Sequence, residues 1–393
     1  MDRRILSVFL SIIVSTPIVA ETVPTYGSEY FRVPSARLAA IGGPHAALAD
    51  DFTVLFSNPA GFSAVAPGYR VSDLTFSVAG PVFTIAGITI NAMNNDLEDV
   101  FSSPELAALL SSLHTGARIG GPLSFGWVGN GLGFGAMNVT GFTLDTSSTG
   151  SVKLEAYERF LFMGGVSYEM HLPTVTPSSI SGGFLLKTFI EGRSRIATSI
   201  LGLPSVIEGF GPDLFDNHPF DLASGLGIDV GVRYSFRDMF VIGVTGQNVY
   251  APVGTNRFSG LDAFLGSDPP VDVFSSRVPF DLSVGVMLRP PLGALRWYID
   301  DLAVFFDYRD ILDFVFREES SRNIVLKLSR GVELRLLQVL LVRAALADGL
   351  LAAGLGIDLG AVRFDAAMFG RELSTEPGMR PVYNIALGLE FRL

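Results

Sequence analysis

Apolar residues recur at every second position through much of the chain. From Ser224 to Phe236 one parity is apolar and the other holds glycine, serine or charged residues, and segments 278–289 and 383–393 repeat this pattern. Successive side chains of a strand point to opposite faces, so each segment has one apolar and one mixed face. A soluble β-sandwich alternates in the same way, but segments of about ten residues repeated along a chain are typical of a transmembrane barrel.

The spacing of these segments indicates how many strands the chain forms. Candidate strands lie near residues 380–393, 360–371, 349–358, 338–347, 323–336, 296–308, 278–289, 239–249, 224–235, 178–191, 157–172, 131–144, 121–129 and 81–92. Their connections alternate between long and short, except that Asp348-Gly349 is short where a long loop is expected. Bacterial barrels have an even number of strands, short periplasmic turns and longer outside loops. The sequence therefore predicts an all-β, antiparallel transmembrane barrel of about 14 strands with periplasmic termini.

The mixed faces predict the character of the lumen. Between their charged positions they hold glycine, alanine and serine, with an occasional larger residue such as Phe305 or Phe369. We interpret this as an apolar or narrow lumen, which suits an apolar passenger. Small inward residues that make room for a plug are the other interpretation, and the two are compatible.

The first twenty residues have the pattern of a secretory signal peptide. Arg3 and Arg4 precede the apolar run from Ile5 to Val14, and Ile18-Val19-Ala20 forms a cleavage site before Glu21. A single membrane anchor is the alternative, but the run is too short to span a bilayer and Pro17 interrupts it.

Composition excludes several classes of protein. Hydrophobic residues make up 48% of the chain and charged residues only 17%, whereas soluble domains carry about 25% charge. The net charge of −11 argues against a nucleic-acid partner. Because the chain has no cysteine, disulfides, zinc–cysteine sites and thiol catalysis are excluded.

The stretch from Ser35 to Ser63 differs from the rest of the chain. It is rich in alanine and glycine, and Asp50-Asp51 precedes a short apolar run in the manner of a helix start, where carboxylates favour the N-terminal dipole. A cation site is the alternative function for these two aspartates. Ser57-Asn58-Pro59 is a turn signal, because the residue before a proline is pushed out of the helical region.

This stretch resembles the N-terminal signature of the FadL family, outer-membrane channels for long-chain fatty acids and aromatic hydrocarbons. The resemblance is carried by Ala36-Arg37, Ile41-Gly42-Gly43, Ala46 to Asp51 and Phe56 to Gly61. The same signature occurs in related PorV-like barrels, and the stretch from Gly331 to Asp365 is similar to a branch of this superfamily found in spirochaetes.

The family resemblance implies a division of the chain and a site. With the signal peptide over residues 1–20 and the barrel over 81–393, it implies a hatch and lead-in over 21–80. The hatch would plug the barrel and carry the gate residues Asp50, Asp51, Asn58, Pro59, Ala60 and Gly61. Asn58-Pro59-Ala60 is then either a moving gate or a fixed anchor, and Phe52, Phe56 and Phe62 either line a ligand path or seal the hatch to the wall.

No catalytic constellation stands out in the sequence. The four histidines are scattered without metal-ligand spacing, and for His45 a hydrogen bond within the hatch is favoured over contact with a ligand. A Gly-x-Ser-x-Gly elbow is absent. The sequence thus predicts a protein that is not an enzyme and needs no cofactor or metal.

By the resemblance, the expected function is diffusive uptake of long-chain fatty acids or similar hydrophobic molecules across the outer membrane. The expected partners are that ligand and outer-membrane lipid, and the expected state is a monomer. A non-transporting barrel that tethers or shuttles secreted proteins is the first alternative, and an outer-membrane lipid hydrolase is the second. The tether would have an apolar patch on its outside loops, and the hydrolase would have a serine–histidine pair.

Overall fold

A computed structural model describes residues 30–81, 113–146, 151–173, 176–199, 218–237, 239–316 and 321–393. The predicted signal peptide and residues 82–92 of the predicted first strand lie outside these ranges. Sixteen strands are described: β1 (Gly68–Ala79), β2 (His114–Gly129), β3 (Leu132–Thr146), β4 (Ser151–His171), β5 (Ser178–Ser199), β6 (Phe220–Phe236), β7 (Phe240–Tyr250), β8 (Pro252–Phe258), β9 (Asp272–Arg277), β10 (Asp281–Leu288), β11 (Ile299–Tyr308), β12 (Leu328–Leu336), β13 (Leu340–Ala347), β14 (Leu350–Asp358), β15 (Val362–Glu372) and β16 (Pro381–Arg392).

The described helices are short. They are α1 (Ala36–Ala40), α2 (Leu261–Leu265), α3 (Asp313–Phe316) and α4 (Ile324–Lys327), with three 3₁₀ helices that we label η1 (Phe52–Phe56), η2 (Pro59–Ser63) and η3 (Gly293–Trp297). No helix within the described ranges is long and apolar enough to cross a membrane.

Fourteen of the described strands close a ring, as the sequence predicts. Each pairs antiparallel with its neighbours in the chain, β7 pairs with β10, and β1 closes the ring against β16. β8 and β9 form an additional hairpin that extends from β6. The short connections, such as 130–131 and 337–339, lie at one end of the barrel with the C-terminus, and the longer ones lie at the other. We call these ends the short-turn end and the long-loop end.

Asp348-Gly349, the short exception at the long-loop end, is a two-residue hairpin turn. Both residues have positive φ, 52° and 72°. This backbone conformation is the one that Asp-Gly favours in two-residue hairpins. The turn chemistry therefore explains why β13 and β14 are joined without a loop.

The start of the barrel corrects the predicted boundary at residue 80. Residues 68–79 form the wall strand β1, which pairs with both β16 and β2. Its exposed apolar side chains change parity, from Tyr69 and Val71 to Leu74 and Phe76. The change coincides with a register shift between Arg70 and Ser72, because an inserted residue turns every later side chain to the opposite face. The bulge hides the alternation that marks the other strands.

The outer face of the ring is apolar and exposed. Side chains such as Phe162, Val232 and Leu387 expose 45%, 48% and 54% of their surface, while the alternate positions of the same strands are buried. A continuous apolar surface of this extent is not found on soluble monomers. The barrel therefore spans a membrane. Tyr69, Tyr168 and Trp297 project near the short-turn end, where aromatic residues favour the membrane–water interface.

Replacing Leu355 with arginine tests this orientation of the outer face. Leu355 is 57% exposed and lies at the middle of β14, where a cation on the lipid side should lower the free energy of unfolding by about 2–4 kcal/mol. The matched control is Leu359→Arg in the β14–β15 turn, where about 0–1 kcal/mol is expected. Urea unfolding in lipid vesicles measures both, and equal effects would contradict the assignment of this face to lipid.

Candidate functional site

We call residues 30–66 the N-terminal segment. It contains three short helices, α1, η1 and η2, and the local sequence determines where each one begins. Ser35 caps α1, and its side chain accepts a hydrogen bond from the Leu38 amide. Asp51 caps η1 by accepting from the amide of Thr53, as predicted from the Asp50-Asp51 pair. Asn58 caps η2, with Pro59 at the first helical position. Small polar caps and an N-terminal proline are the residues that such helix starts favour.

The N-terminal segment contacts inward-facing positions of strands all round the ring. Strand glycines mark these contacts: Gly126 lies against Phe52, Gly243 against Ala46, and Gly354 against Ala40. Most of the side chains of the segment are buried. Because the contacts reach β2, β7 and β14, which are far apart in the ring, the segment crosses the barrel interior.

The Asn58 side chain joins the segment to two wall strands. Its Oδ1 accepts from the Ala60 amide at 3.0 Å, and its Nδ2 donates to the Ala46 carbonyl at 2.8 Å. The same Nδ2 lies 3.2 and 3.3 Å from the carbonyl oxygens of Val232 in β6 and Val244 in β7. Asn58 is completely buried, so its Nδ2 would lose the two wall carbonyls if the turn moved away from β6 and β7.

Glycines in the wall receive the Asn58-Pro59-Ala60 turn. A Cβ at Gly231 would stand 1.9 Å from Asn58 Oδ1, and one at Gly183 would stand 2.3 Å from the Pro59 carbonyl carbon. No side chain fits at these distances, so glycine at both strand positions permits the close approach. The turn and the wall are therefore complementary in shape.

Arg37 forms the centre of a buried ionic cluster on the opposite side of the segment. Its guanidinium contacts the carboxylates of Asp50 at 2.6 Å, Asp51 at 2.6 Å and Glu333 of β12 at 2.8 Å. Arg343 of β13 also contacts Glu333 at 2.5 Å. The two aspartates predicted as gate residues therefore bind a guanidinium of the same segment, which occupies the position of the cation considered for them.

The cluster favours the ionised forms of Arg37 and Asp51. Burial lowers the pKa of the Arg37 guanidinium, but the three carboxylates outweigh burial and hold the pKa above its ordinary value. Burial also acts to raise the pKa of Asp51, but Arg37, Arg363 and Arg70 outweigh it and hold the pKa well below its usual range. Charge pairing within the cluster is thus strong enough to offset the desolvation of both groups.

His45 is also bound within the barrel. Its Nδ1 contacts the Asp307 carboxylate of β11, and its Nε2 lies 2.7 Å from the Ile41 carbonyl oxygen. Its ring stacks on Phe305 with centroids 4.6 Å apart. His45 is completely buried, and its contacts match the predicted hydrogen-bonding role.

A cavity of about 250 Å³ lies on the long-loop side of the N-terminal segment. The segment contributes apolar side chains to it, among them Phe31, Leu38, Leu55 and Phe56. The wall lines the rest of the cavity with residues of several strands, on the side toward the long-loop end. They include Ser77, Arg118, Asn248, Asp281, Ala352, Phe369 and Ala386. The segment therefore forms one side of a chamber that the strands enclose.

The three predicted path residues occupy different places. Phe56 lines the cavity. Phe52 packs beneath the Arg70 guanidinium, 4.4 Å from its ring centroid, and against Gly126. Phe62 is completely buried against Gly133 and Gly165. Phe56 therefore lies at the cavity, whereas Phe52 and Phe62 pack between the segment and the wall.

The lumen is more strongly charged than the sequence analysis predicts. Lys187 and Asp229 form a buried pair at 2.8 Å beside the cavity, and Arg159 with Glu191 forms another. The expectation of an apolar lumen is wrong, because these charges occupy the inward parity and are neutralised by one another. The sequence gives one sign of a charged lumen: charged residues such as Asp229 and Arg233 alternate with the apolar residues and therefore face inward.

The described residues contain no group of three or more potential ligands that would hold a metal ion. Within the same ranges, the histidine hydrogen bonds go to carboxylates and to a backbone carbonyl rather than to serine. His114, at the long-loop end, contacts Asp145 at 2.7 Å. The hydrolase alternative therefore gains no support from these residues.

Several solved structures are similar to this chain. CymD, a monoaromatic hydrocarbon channel, is 12% identical with a TM-score of 0.47, covering 90% of this chain and 97% of that chain. The toluene transporter TbuX of Ralstonia pickettii is 12% identical with a TM-score of 0.46, at 90% and 96% coverage. A FadL homologue of Pseudomonas aeruginosa is 13% identical with a TM-score of 0.43, at 94% and 98% coverage.

Sequence comparisons add nothing further, since no protein-family model and no curated protein sequence match the chain. A FadL homologue is among these similar structures. At these identities and TM-scores the similarity does not indicate the function of this chain. A function has to be inferred from the residues of the chain itself.

Proposed function

We propose that the chain forms an outer-membrane channel for diffusive uptake of hydrophobic molecules, with the N-terminal segment as its hatch. The observation that carries this proposal is the cavity between the segment and the long-loop end. It lies inside a membrane-spanning ring, and the floor contributed by the segment includes Leu38, Leu55 and Phe56. Small-molecule sites are concave and combine apolar surface with placed polar groups; here the segment supplies the apolar surface, and the wall supplies polar and charged groups such as Arg118, Asn248 and Asp281.

The size of the cavity favours a compact ligand or part of a chain. An apolar cavity of about 150 Å³ holds one benzene molecule, so about 250 Å³ accommodates a molecule of one or two rings. A long-chain fatty acid would place only part of its acyl chain there and extend the rest toward the long-loop end. The polar groups beside the cavity, such as the Lys187–Asp229 pair, are suited to the polar end of such a ligand.

Uptake would need no energy source. A ligand enters from the long-loop end, gains about 25 cal/mol for each Å² of apolar surface that it buries, and passes when the N-terminal segment moves. The two attachments of the segment differ in strength. Neutral hydrogen bonds such as those of Asn58 contribute about 0.5–1.5 kcal/mol each, whereas breaking a buried ionic cluster costs about 3–5 kcal/mol. We therefore place the opening on the β5–β7 side, with the Arg37 side as the fixed point.

Filling the cavity tests whether it is the binding site. Ala352 of β14 lines it and is buried, so Ala352→Phe should weaken binding of a fluorescent hydrophobic probe by about tenfold or more, about 1.4 kcal/mol. The control is Leu351→Phe, the adjacent outward position, which is 72% exposed. A fluorescence titration of the refolded barrel measures both, and equal affinities for the two variants would contradict the assignment.

Exposed apolar residues at the long-loop end favour the alternative function, a barrel that tethers secreted proteins. Leu265 at the end of α2, Val271 just before β9 and Val273 in β9 expose 68%, 73% and 64% of their surfaces at the long-loop end. Such a patch on an outside loop is what a tether for secreted proteins requires. Absence of saturable probe binding by the unmodified barrel would favour this function over uptake.

A further inference from the structure

The barrel wall differs in height around the ring. β4 and β5 contain 21 and 22 residues, whereas β10 and β13 contain 8, β12 and β14 contain 9, and β11 contains 10. At about 3.3 Å per residue and a tilt of about 40°, eight or nine residues rise only about 20–23 Å. The apolar band of such barrels is about 25 Å tall. On the low side, β10–β14, four of the five strands are therefore too short to cover the band alone, and the ten residues of β11 rise only about as far as the band.

Apolar side chains continue the wall above this low side. Phe314, Val315 and Phe316 of α3 are 57–59% exposed, and Ile324 and Val325 of α4 are 58% and 48% exposed. Both helices belong to the connection between β11 and β12. We call these five residues the rim surface.

Two contacts join the rim surface to the outer wall. The Phe316 ring packs edge-on against Phe280, with centroids 5.6 Å apart, and Phe280 in turn covers the outward position Gly246 of β7. Val325 lies beside Gly349, in the turn that follows the outward residue Leu346. The rim surface is therefore in contact with the outer wall at both helices.

Polar groups of the same connection point away from the rim surface. Asp313 and Lys327 form a buried ion pair that fastens α3 to α4, and Asp313 also accepts hydrogen bonds from Ser321 and from the Arg322 amide, both at 2.9 Å. Arg322 reaches Asp348 at 3.2 Å. The described residues of α3, α4 and 321–323 thus have a polar interior and an apolar exterior, which is the distribution found in segments that lie at a membrane surface.

We propose that the rim surface is a lipid-binding surface that lies in the outer leaflet, at the boundary between head groups and acyl chains. Its insertion supplies the apolar height that the short strands of the low side lack and offsets the mismatch with the bilayer. Elements of this kind are buried about 5–10 Å into that boundary. The high side, β4–β6, then projects from the membrane, and the barrel has a defined tilt whether or not the lumen conducts.

Site-directed spin labelling tests the placement, because the chain has no cysteine of its own. Val315→Cys and Ile324→Cys each receive a label on the rim surface. Leu355→Cys on the outer wall is the lipid-exposed control, and Asp268→Cys, at an exposed charged position after α2, is the water-exposed control. Each variant is reconstituted into dioleoylphosphatidylcholine vesicles, and collisions of the label with oxygen and with a water-soluble nickel chelate are measured.

Labels at Val315 and Ile324 are expected to behave like the label at Leu355, with high access to oxygen and a loss of access to the nickel chelate. Behaviour like that of the label at Asp268 would overturn the proposal. Protection from both reagents would overturn it as well, since that result indicates cover by protein, either a second copy or another partner. All four positions are exposed in the barrel, so the substitutions leave its interior unchanged.

Discussion

Replacing Arg37 with alanine is expected to lower the free energy of unfolding by about 3–5 kcal/mol. The guanidinium contacts Asp50, Asp51 and Glu333 and is almost completely buried. Its removal leaves three carboxylates in the barrel interior with less positive charge beside them. The cost arises mainly from these unpaired charges rather than from the lost attraction, because an ionic cluster stabilises only while it is complete.

Arg380→Ala provides the matched control. Arg380 also contacts an aspartate, Asp145, at 3.1 Å, but its side chain is 45% exposed. Exposed pairs contribute about 0–1 kcal/mol, so unfolding in urea should barely change. The Arg37 variant should also expose the N-terminal segment to protease, whereas the Arg380 variant should not. Equal losses of stability in the two variants would show that the Arg37 cluster does not hold the segment.

The wall could be predicted from the sequence because lipid imposes one rule on every strand. Each outward side chain must be apolar, so the alternation in residues such as Val230, Val232 and Leu387 is preserved along the chain. The prediction was wrong where a local irregularity changes the parity, as between Arg70 and Ser72 in β1. Alternation identifies a strand only while the register is unbroken.

The interior could be predicted only in its local parts. The caps Asp51 and Asn58 bond to amides two residues ahead, and local sequence shows such contacts. Arg37 and Glu333 are 296 positions apart, and their pairing depends on where a folded segment meets a folded wall. The alternation of apolar and polar residues does not show which distant charges will pair. The sequence therefore predicts an apolar lumen, whereas the lumen contains charged side chains that neutralise one another in pairs.

Replacing Gly183 with alanine is expected to push the Asn58-Pro59-Ala60 turn away from the wall. A Cβ at Gly183 in β5 would stand 2.3 Å from the Pro59 carbonyl carbon and 2.4 Å from the Ala60 nitrogen. Both are backbone atoms, so rotation of a side chain cannot relieve the clash. Gly183→Ala should therefore displace the Asn58-Pro59-Ala60 turn at a cost of about 1–3 kcal/mol, the usual cost of overpacking.

Gly182→Ala separates this effect from a general effect on the strand. A Cβ at Gly182, one residue away on the opposite face, has no atom within 4 Å. The two variants change the same strand in the same way, but only the Gly183 variant meets the turn.

If the β5–β7 side is where the hatch opens, Gly183→Ala should speed entry of a hydrophobic probe into vesicles while Gly182→Ala leaves the rate unchanged. A slower rate or no change in the Gly183 variant, together with the expected loss of stability, would identify the turn as a fixed anchor. The wall would then hold the segment in place, and any path for a ligand would have to lie elsewhere.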